Sequence, residues 1–201
     1  MKELIFCLEN NCKFNRARDS KGAICITING KKNYIHDFYP SIAFAKQPRD
    51  LIQQLHRFCI VRDPVERIIS CYNNRVVRYK VLSKDLLSQA KIKAPANPDL
   101  DQFINYLDQY KNIADIKHHT HSLTHFLGNN SDFYHEIFNL RNLKRAEETL
   151  KKHFPSNKFD MPHLQQTQNE SQISRENASK KMIRTIENLY EDDYSVYGKF
   201  F

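Results

Sequence analysis

Two residues eight positions apart, Arg62 and Ser70, have the chemistry to hold a phosphate group. A guanidinium forms charge-assisted hydrogen bonds with phosphate oxygens, and a hydroxyl adds a further donor. The residues between them have the composition of a helix start: Asp63 can act as N-cap, Pro64 fits the first turn, and Glu66 completes a capping-box pattern. A helix N-terminus also favours an anion, through its free N–H groups and its dipole. The spacing therefore predicts a phosphate site.

The surrounding pattern predicts the elements that position these side chains. Phe58-Cys-Ile-Val61 is a short apolar run rich in β-formers, which indicates a buried strand. Beyond it, apolar residues recur at helical spacing and would face the sheet: Val65, Ile68, Ile69, Tyr72 and Val76. Arg62 thus leaves the carboxyl end of a strand, where open α/β sheets bind ligands.

The string Arg62-Asp-Pro-Val-Glu-Arg-Ile-Ile-Ser70 resembles the 3′-phosphate-binding motif of sulfotransferases that use 3′-phosphoadenosine 5′-phosphosulfate (PAPS). It is most similar to the carbohydrate branch, particularly the heparan sulfate 2-O-sulfotransferase group. The resemblance is strongest over residues 58–75 and looser over 34–198. It implies a P-loop-like sulfotransferase fold, PAPS as the sulfonate donor, no metal, and a hydroxyl acceptor on a saccharide. It also implies that Arg62 and Ser70 bind the 3′-phosphate, whereas the alternative is the Arg-Asp-Pro turn that any α/β domain can contain.

The family's 5′-phosphosulfate loop is missing or degenerate in this chain. Leu4-Ile-Phe-Cys-Leu8 is predicted to be the first strand, but the segment 9–20 lacks the family's Pro-Lys and small-residue pattern. Only Lys13 matches as a weak catalytic candidate that would hold the sulfonate, and a solvated basic segment explains it equally well. Three explanations stay open: the N-terminus lies upstream, the loop has diverged, or the protein is an inactive nucleotide- or glycan-binding relative.

A histidine ahead of the Arg-Asp-Pro motif is the candidate catalytic base. Ala23–Ile28 is predicted to be a strand, and Asn29-Gly30 the turn of a hairpin that returns through Tyr34 and Ile35. His36 follows, in an aromatic-flanked stretch similar to the one that carries the base in the 2-O-sulfotransferases. Imidazole titrates in the range needed to take a proton from a sugar hydroxyl. The alternative is a surface or packing histidine, since the chain has nine His.

Four histidines lie between positions 118 and 125, before Phe-Leu-Gly. This segment resembles a family stretch of histidines and aromatic residues, which implies His118 and His119 as substrate-binding residues and next candidates for the base. His121 and His125 are one helical turn apart and could share a metal ion. Because no Glu-rich signature accompanies them, a metal site is the weaker interpretation.

The second half of the chain contributes one more cofactor-binding candidate. Pro162-His-Leu-Gln-Gln-Thr167 resembles a family loop near the cofactor, with two Gln in place of Asn and Lys, and implies Thr167 as a contact. Other predicted elements are helices over Pro48–Leu55, from Asn97-Pro98 to Leu107, over 143–154 and over Ser174–Tyr197, and a strand over Phe133–Leu140.

Alternating strand and helix patterns predict an α/β fold, in which residues 1–201 form a single domain with a mostly parallel central sheet flanked by helices. The 31 Lys+Arg against 23 Asp+Glu give a net charge of +8, which favours an anionic partner. A nucleic-acid-binding domain is the weakest alternative, because net charge alone supports it. Five cysteines without a Cys-x-x-Cys pair indicate neither a disulfide scaffold nor a zinc ribbon. No early apolar run suits a signal peptide or membrane span, which predicts a cytoplasmic protein.

Overall fold

A computed structural model describes residues 5–6, 9, 17–18, 24–28, 31–39, 42–154 and 173–201. The chain forms two compact units. The first comprises Met1–Gln47 and Asn142–Thr167, and the second comprises Pro48–Arg141 and Gln168–Phe201. The Arg62–Ser70 motif belongs to the second unit.

The described secondary structure is mixed α/β. The strands are β1 (Ala17–Arg18), β2 (Ile24–Ile28), β3 (Lys31–Tyr34), β4 (Phe58–Val61) and β5 (Glu136–Asn139). The α-helices are α1 (Ile35–Phe38), α2 (Arg49–Ile52), α3 (Pro64–Cys71), α4 (Lys84–Gln89), α5 (Leu100–Asn105), α6 (Leu107–Tyr110), α7 (Ala114–Thr120), α8 (Leu123–Leu127), α9 (Lys144–His153), α10 (Lys180–Leu189) and α11 (Glu191–Tyr197). A π-helix spans Tyr72–Arg78, and 3₁₀ turns span Phe44–Lys46, Ser131–Phe133, Arg175–Asn177 and Gly198–Phe200.

The first unit contains an antiparallel sheet in the order β1-β2-β3. The predicted hairpin is confirmed, since Ile28 pairs with Lys31 and the two strands run in opposite directions. The strand predicted at Leu4–Leu8 is wrong where the structure describes it, because Ile5 and Phe6 are helical. Phe6 packs into a small buried cluster with side chains from β2 and α1.

The second unit contains the parallel pair β4 and β5, in which Phe58 lies opposite Glu136 and Val61 opposite Asn139. Both strands were predicted, although β5 is shorter than the predicted segment. Among the described residues this pair is all that is found of the mostly parallel central sheet. The other sheet is antiparallel because two residues join β2 to β3, too few for the crossover that parallel strands need.

Helix α3 is the centre of the core of the second unit. Val65 and Ile68 on its apolar face are fully buried, as the sequence periodicity predicts. They pack in one cluster with buried residues of α5, α6, α7 and α10. Truncating a residue such as Ile68 to Ala would cost roughly 2–5 kcal/mol, because the cavity adds to the lost apolar burial.

The predicted helix after Pro64 changes its pitch at Cys71. The π-helix that follows has the wider hydrogen-bonding pattern, as in the bond from the Tyr79 N–H to the Asn74 carbonyl, 3.1 Å. Insertions of this kind often occur at functional sites. Within it, the Asn73 amide donates to the Ile173 carbonyl (2.7 Å) and accepts from the Ile173 N–H (3.3 Å). The π-helix thus fixes the start of the last described segment.

The predicted C-terminal helix is two helices, because Tyr190 leaves the helical conformation between α10 and α11. Its hydroxyl donates to the Thr120 carbonyl at 2.6 Å, which ties this break to the end of α7. No helix in the described ranges is long and apolar enough to cross a membrane.

Candidate functional site

Two arginines leave the same edge of the parallel pair. Arg62 follows β4 directly, and Arg141 comes two residues after β5. The pairing continues past the strands, since the Leu140 N–H donates to the Val61 carbonyl at 2.9 Å. Because parallel strands end together, both guanidinium groups are placed at the carboxyl edge, as predicted for Arg62.

Glu66 joins these two arginines. Its Oε2 lies 3.6 Å from Nε of Arg62, and its Oε1 accepts from Nη2 of Arg141. Glu66 therefore forms two ion pairs instead of the hydrogen bond to the N-cap N–H that the predicted capping box requires. A hydrogen bond between two charged groups is stronger than one from a neutral N–H. Burial lowers the pKa of Arg62, as does the charge of Arg141, while Asp63 opposes the shift. The guanidinium stays charged at neutral pH.

Asp63 caps α3 as predicted and also holds the C-terminal part of the second unit. Its Oδ1 accepts from the Val65 N–H at 2.8 Å and from the Tyr194 hydroxyl at 3.2 Å. Its Oδ2 lies 2.8 Å from Nη1 of Arg175. Burial lowers the pKa of Arg175, but the attraction of Asp63 outweighs this and the pKa is raised overall. Burial and the neighbouring Asp63 raise the pKa of Tyr194.

These five charged residues form what we call the arginine–carboxylate cluster: Arg62, Asp63, Glu66, Arg141 and Arg175. A cavity of about 260 Å³ opens beside it. It is lined by Asp63, Glu66, Asn139, Arg141, Arg175 and Phe201. The cavity combines guanidinium groups that can bind an anion with one aromatic wall.

Ser70 lies in the last turn of α3 and is half-buried. Ser70 follows Glu66 by four residues, which places these two residues on one stripe of α3. Arg62 precedes the helix and meets this stripe through its contact with Glu66.

Two further arginines, Arg67 of α3 and Arg75 of the π-helix, face α7 and the residue that follows it. Arg67 donates through Nη2 to the His121 carbonyl, and Arg75 donates through Nη2 to Nε2 of His119 at 2.6 Å. Arg75 also lies 3.5 Å from the Asp115 carboxylate. Within the described chain, Nη1 of Arg67 and Nε of Arg75 are the buried side-chain polar atoms that lack a hydrogen-bond partner.

His119 is held as a neutral ring. Because Arg75 can only donate, Nε2 of His119 must accept, and its ring proton is assigned to Nδ1. Burial lowers the pKa of His119, and Arg75 lowers it further, while Asp115 opposes the change. This arrangement makes His119 a hydrogen-bond partner of Arg75, so its Nε2 is not free to take a proton.

Comparison with protein families gives one match. The model of the sulfotransferase family covers residues 1–200 of the 201-residue chain. The chain belongs to the sulfotransferase family. A search of curated proteins and a search of solved structures each give no match. Family membership indicates that this sulfotransferase moves a sulfonate group from a donor to a hydroxyl acceptor.

The remaining predicted site residues of the sulfotransferase are not all described. His36 lies in α1 of the first unit, after the predicted return strand has ended at Tyr34, and its side chain is outside the described part. Lys13 and Thr167 both lie outside the described residues. His118 is exposed on α7, next to His119.

The possible two-histidine metal site has the wrong geometry. The rings of His121 and His125 stack with centroids 3.9 Å apart and planes 9° apart, so their nitrogen lone pairs lie in parallel planes instead of converging. Over the described ranges, no group of three or more His, Cys, Asp or Glu is placed to hold a metal ion.

The roles of three residues in the arginine–carboxylate cluster were not predicted from the sequence, for different reasons. Arg141 had a usable signal, because it follows a predicted strand that runs parallel to β4. Glu66 was recognised as a capping residue, and its contacts with two arginines depend on β5. Arg175 had no local signal, since it meets Asp63 across 112 positions of the chain.

Proposed function

We propose that the protein transfers a sulfonate from PAPS to a saccharide hydroxyl, with Arg62 and Ser70 binding the nucleotide's 3′-phosphate. The observation that carries this proposal is the position of Arg62 at the carboxyl edge of the parallel pair, with Glu66 against its Nε. The resemblance of residues 58–75 to the carbohydrate branch supports the choice of acceptor.

The geometry around Arg62 suits a phosphate. Glu66 occupies the Nε side of the guanidinium, and among the described residues no hydrogen bond or ion pair to its two Nη nitrogens is found. The side chain keeps 34% of its surface in solvent, so a phosphate can reach those nitrogens. The Glu66 contact would therefore orient the guanidinium before the ligand arrives, which lowers the entropy lost on binding. Ser70, further along the same stripe, adds a hydroxyl donor.

The residues of this chain would divide the reaction between them. Bound PAPS supplies the sulfonate. His36 takes the proton of the acceptor hydroxyl as the new sulfur–oxygen bond forms and the bond from sulfur to the phosphate oxygen breaks. The products are a sulfated saccharide and adenosine 3′,5′-bisphosphate. In this proposal Lys13 contacts the sulfonate, Thr167 the nucleotide, and His118 and His119 the acceptor.

Calorimetric titration with adenosine 3′,5′-bisphosphate tests the phosphate site. Arg62→Ala should weaken binding by about 1.5–3 kcal/mol, roughly ten- to a hundredfold, because a charged partner of the phosphate is lost. Arg78→Ala removes an exposed arginine at the end of the π-helix and is the matched control. Equal affinity of the wild type and Arg62→Ala would refute the assignment.

Mass spectrometry of an acceptor panel incubated with PAPS tests the reaction itself. His36→Ala should abolish most turnover while leaving affinity for adenosine 3′,5′-bisphosphate nearly unchanged, because the base acts on the acceptor. Loss of both together would indicate a structural histidine. Nucleotide binding without any sulfated product would instead favour the second candidate, a non-catalytic relative, which the missing phosphosulfate-loop pattern supports.

A further inference from the structure

Four ring side chains meet where α7 ends and α8 begins, and we call them the imidazole patch: His118, His121, His125 and Phe126. Phe126 lies edge to face against the stacked rings of His121 and His125, with centroids 5.8 Å and 5.2 Å away. Its ring is also 6.0 Å from that of His118. His118 and His125 are exposed, and Phe126 keeps 39% of its surface in solvent. The patch is therefore an accessible surface of closely spaced rings.

The neighbouring groups that act on His121 favour its neutral form. Partial burial lowers the pKa of His121, and the neighbouring imidazoles and lysines lower it further. The lysines are Lys111 and Lys117. Two nearby carboxylates form ion pairs with other residues: Asp108 lies 3.2 Å from Nζ of Lys111, and Asp115 lies 3.5 Å from Arg75. Among these groups, therefore, no carboxylate is left unpaired to stabilise a protonated His121.

Charged side chains from the other elements packed around the patch form hydrogen bonds with the backbone of the patch segment. From α3, the Arg67 guanidinium donates to the His121 carbonyl. From α11, the Asp193 carboxylate accepts from the N–H groups of Leu123 and Thr124 at 2.7 Å and 2.9 Å. Both contacts fix the position of the patch, and neither places a negative charge against the imidazole rings.

A second stacked histidine pair shows what the patch lacks. His56 and His135 stack with centroids 5.0 Å apart and planes 14° apart, and Nε2 of His56 lies 3.0 Å from the Glu136 carboxylate. That pair has an acidic partner from the protein itself. The His121–His125 pair is closer, at 3.9 Å, and His125 is exposed to solvent. An anion from solution would complete it.

We propose that the imidazole patch is a binding site for an acidic saccharide, whose carboxylate or sulfate group accepts hydrogen bonds from the N–H groups of His121 and His125, with one proton taken up by the stacked pair, while a sugar ring packs on Phe126. A sugar presents an apolar C–H face that suits an exposed aromatic ring, and its anionic group suits imidazolium N–H donors. Because a bound anion favours the charged imidazole, binding takes up protons and strengthens as the pH falls.

The position of the patch supports the acceptor as the occupant, and this step rests on the proposed function. The His121 carbonyl is bonded to Arg67 on α3, the helix that begins just after Arg62 and carries Ser70 one turn beyond Arg67. His119, one residue after His118, is bonded to Arg75. An acidic acceptor on the patch would therefore lie along the helix proposed to bind the donor.

Calorimetry on the full chain at constant ionic strength tests the site. The probes are a heparin-derived tetrasaccharide, the uncharged cellotetraose, and sodium sulfate at matched sulfate concentration. We expect the acidic tetrasaccharide to bind roughly tenfold more tightly at pH 6.0 than at pH 7.5, since one coupled proton can change affinity by up to tenfold per pH unit. Repeating the titration in two buffers of different ionisation enthalpy should show net proton uptake.

Matched variants locate the binding. His121→Gln and His125→Gln should remove most of the pH dependence, and Phe126→Leu should weaken the tetrasaccharide several-fold, by about the contribution of one aromatic contact, without changing sulfate binding. His56→Gln, in the carboxylate-paired stack, is the control and should bind as the wild type does. Circular dichroism confirms that each variant is folded.

Several outcomes would overturn the proposal. These are pH-independent affinity, unchanged binding in folded His125→Gln, sodium sulfate or cellotetraose binding as tightly as the acidic tetrasaccharide, and tighter binding of a single-stranded oligonucleotide lost in the same variants. A parallel titration with adenosine 3′,5′-bisphosphate separates the two proposals. If the nucleotide binds and the saccharide does not, the patch proposal alone fails, whereas the reverse result leaves the patch standing and removes the donor assignment.

Discussion

Two regions in contact with α3 or its N-cap compensate positive charge differently. In the arginine–carboxylate cluster, the guanidinium groups of Arg62, Arg141 and Arg175 face the carboxylates of Asp63 and Glu66. In the imidazole patch, burial and then the neighbouring imidazoles and lysines lower the pKa of His121. The first group is paired within the protein, whereas the proposed partner of the second is an anion from solution.

This difference separates stability from binding. Ion pairs inside a partly buried cluster hold elements together, and removing one partner leaves the other charge uncompensated. The patch contributes little of this kind, because its rings are largely exposed and its position depends on backbone contacts from Arg67 and Asp193. We therefore expect substitutions in the cluster to affect folding, and substitutions of patch rings to affect binding and its pH dependence.

The largest effect should come from the anchor of the patch. Asp193 is fully buried and accepts three hydrogen bonds, from two N–H groups and the Thr124 hydroxyl. Asp193→Ala should lower the free energy of unfolding by about 3 kcal/mol, because the first turn of α8 loses its buried acceptor. Urea unfolding measures this, with the exposed neighbour Asp192→Ala as control. Similar losses in both variants would show that Asp193 does not hold the patch.

A smaller loss of stability is expected in the cluster. Arg175→Ala removes the 2.8 Å ion pair with Asp63 and should cost about 1–2 kcal/mol, since the arginine is partly exposed and solvent screens the pair. The control is the exposed Arg184→Ala on α10. High salt should narrow the difference between the variants. If Arg175→Ala unfolds at the control's urea midpoint, the cluster is not a stabilising one.

Ser70 should show a weaker effect confined to binding. Ser70→Ala should reduce affinity for adenosine 3′,5′-bisphosphate by about 1 kcal/mol, roughly fivefold, because one neutral donor to the phosphate is lost. Titration calorimetry and urea unfolding on the same preparation separate binding from stability, and the exposed Ser88→Ala is the control. A change in stability without a change in affinity would assign Ser70 to the scaffold.

The smallest effect concerns pH and the rings beside α3. Burial first, then neighbouring cations, lower the pKa values of His119 and His121 below the ordinary histidine value. The unfolded chain therefore binds more protons than the folded chain once the pH drops below about 6.5. Stability from these rings should be complete above that pH and fall as the pH drops through their lowered values. Urea midpoints between pH 7.5 and 5 should fall less in the His119→Gln/His121→Gln double variant, and identical slopes would contradict this.

The sequence predicts the features of the site that are local. The strand before Arg62, the cap at Asp63 and the buried face through Val65 and Ile68 all follow from residue spacing over a few positions. The pairing of Arg175 with Asp63 does not, because it depends on how the last helices return to α3. The segment before His36 shows the limit of periodicity: the return strand predicted through Tyr34 and Ile35 ends at Tyr34, because the chain turns into α1 at Ile35.

The amide of Asn73 has a consequence for the order in which the chain folds. It is hydrogen-bonded to the backbone of Ile173, which lies 100 positions later in the chain. Ile186 of α10 then packs in the same buried cluster as the apolar face of α3. Contacts across so long a separation form late, because a large loop must close first. A growing chain would therefore expose part of the apolar face of α3 until α10 has been synthesised, which makes this nascent chain a candidate for chaperone protection.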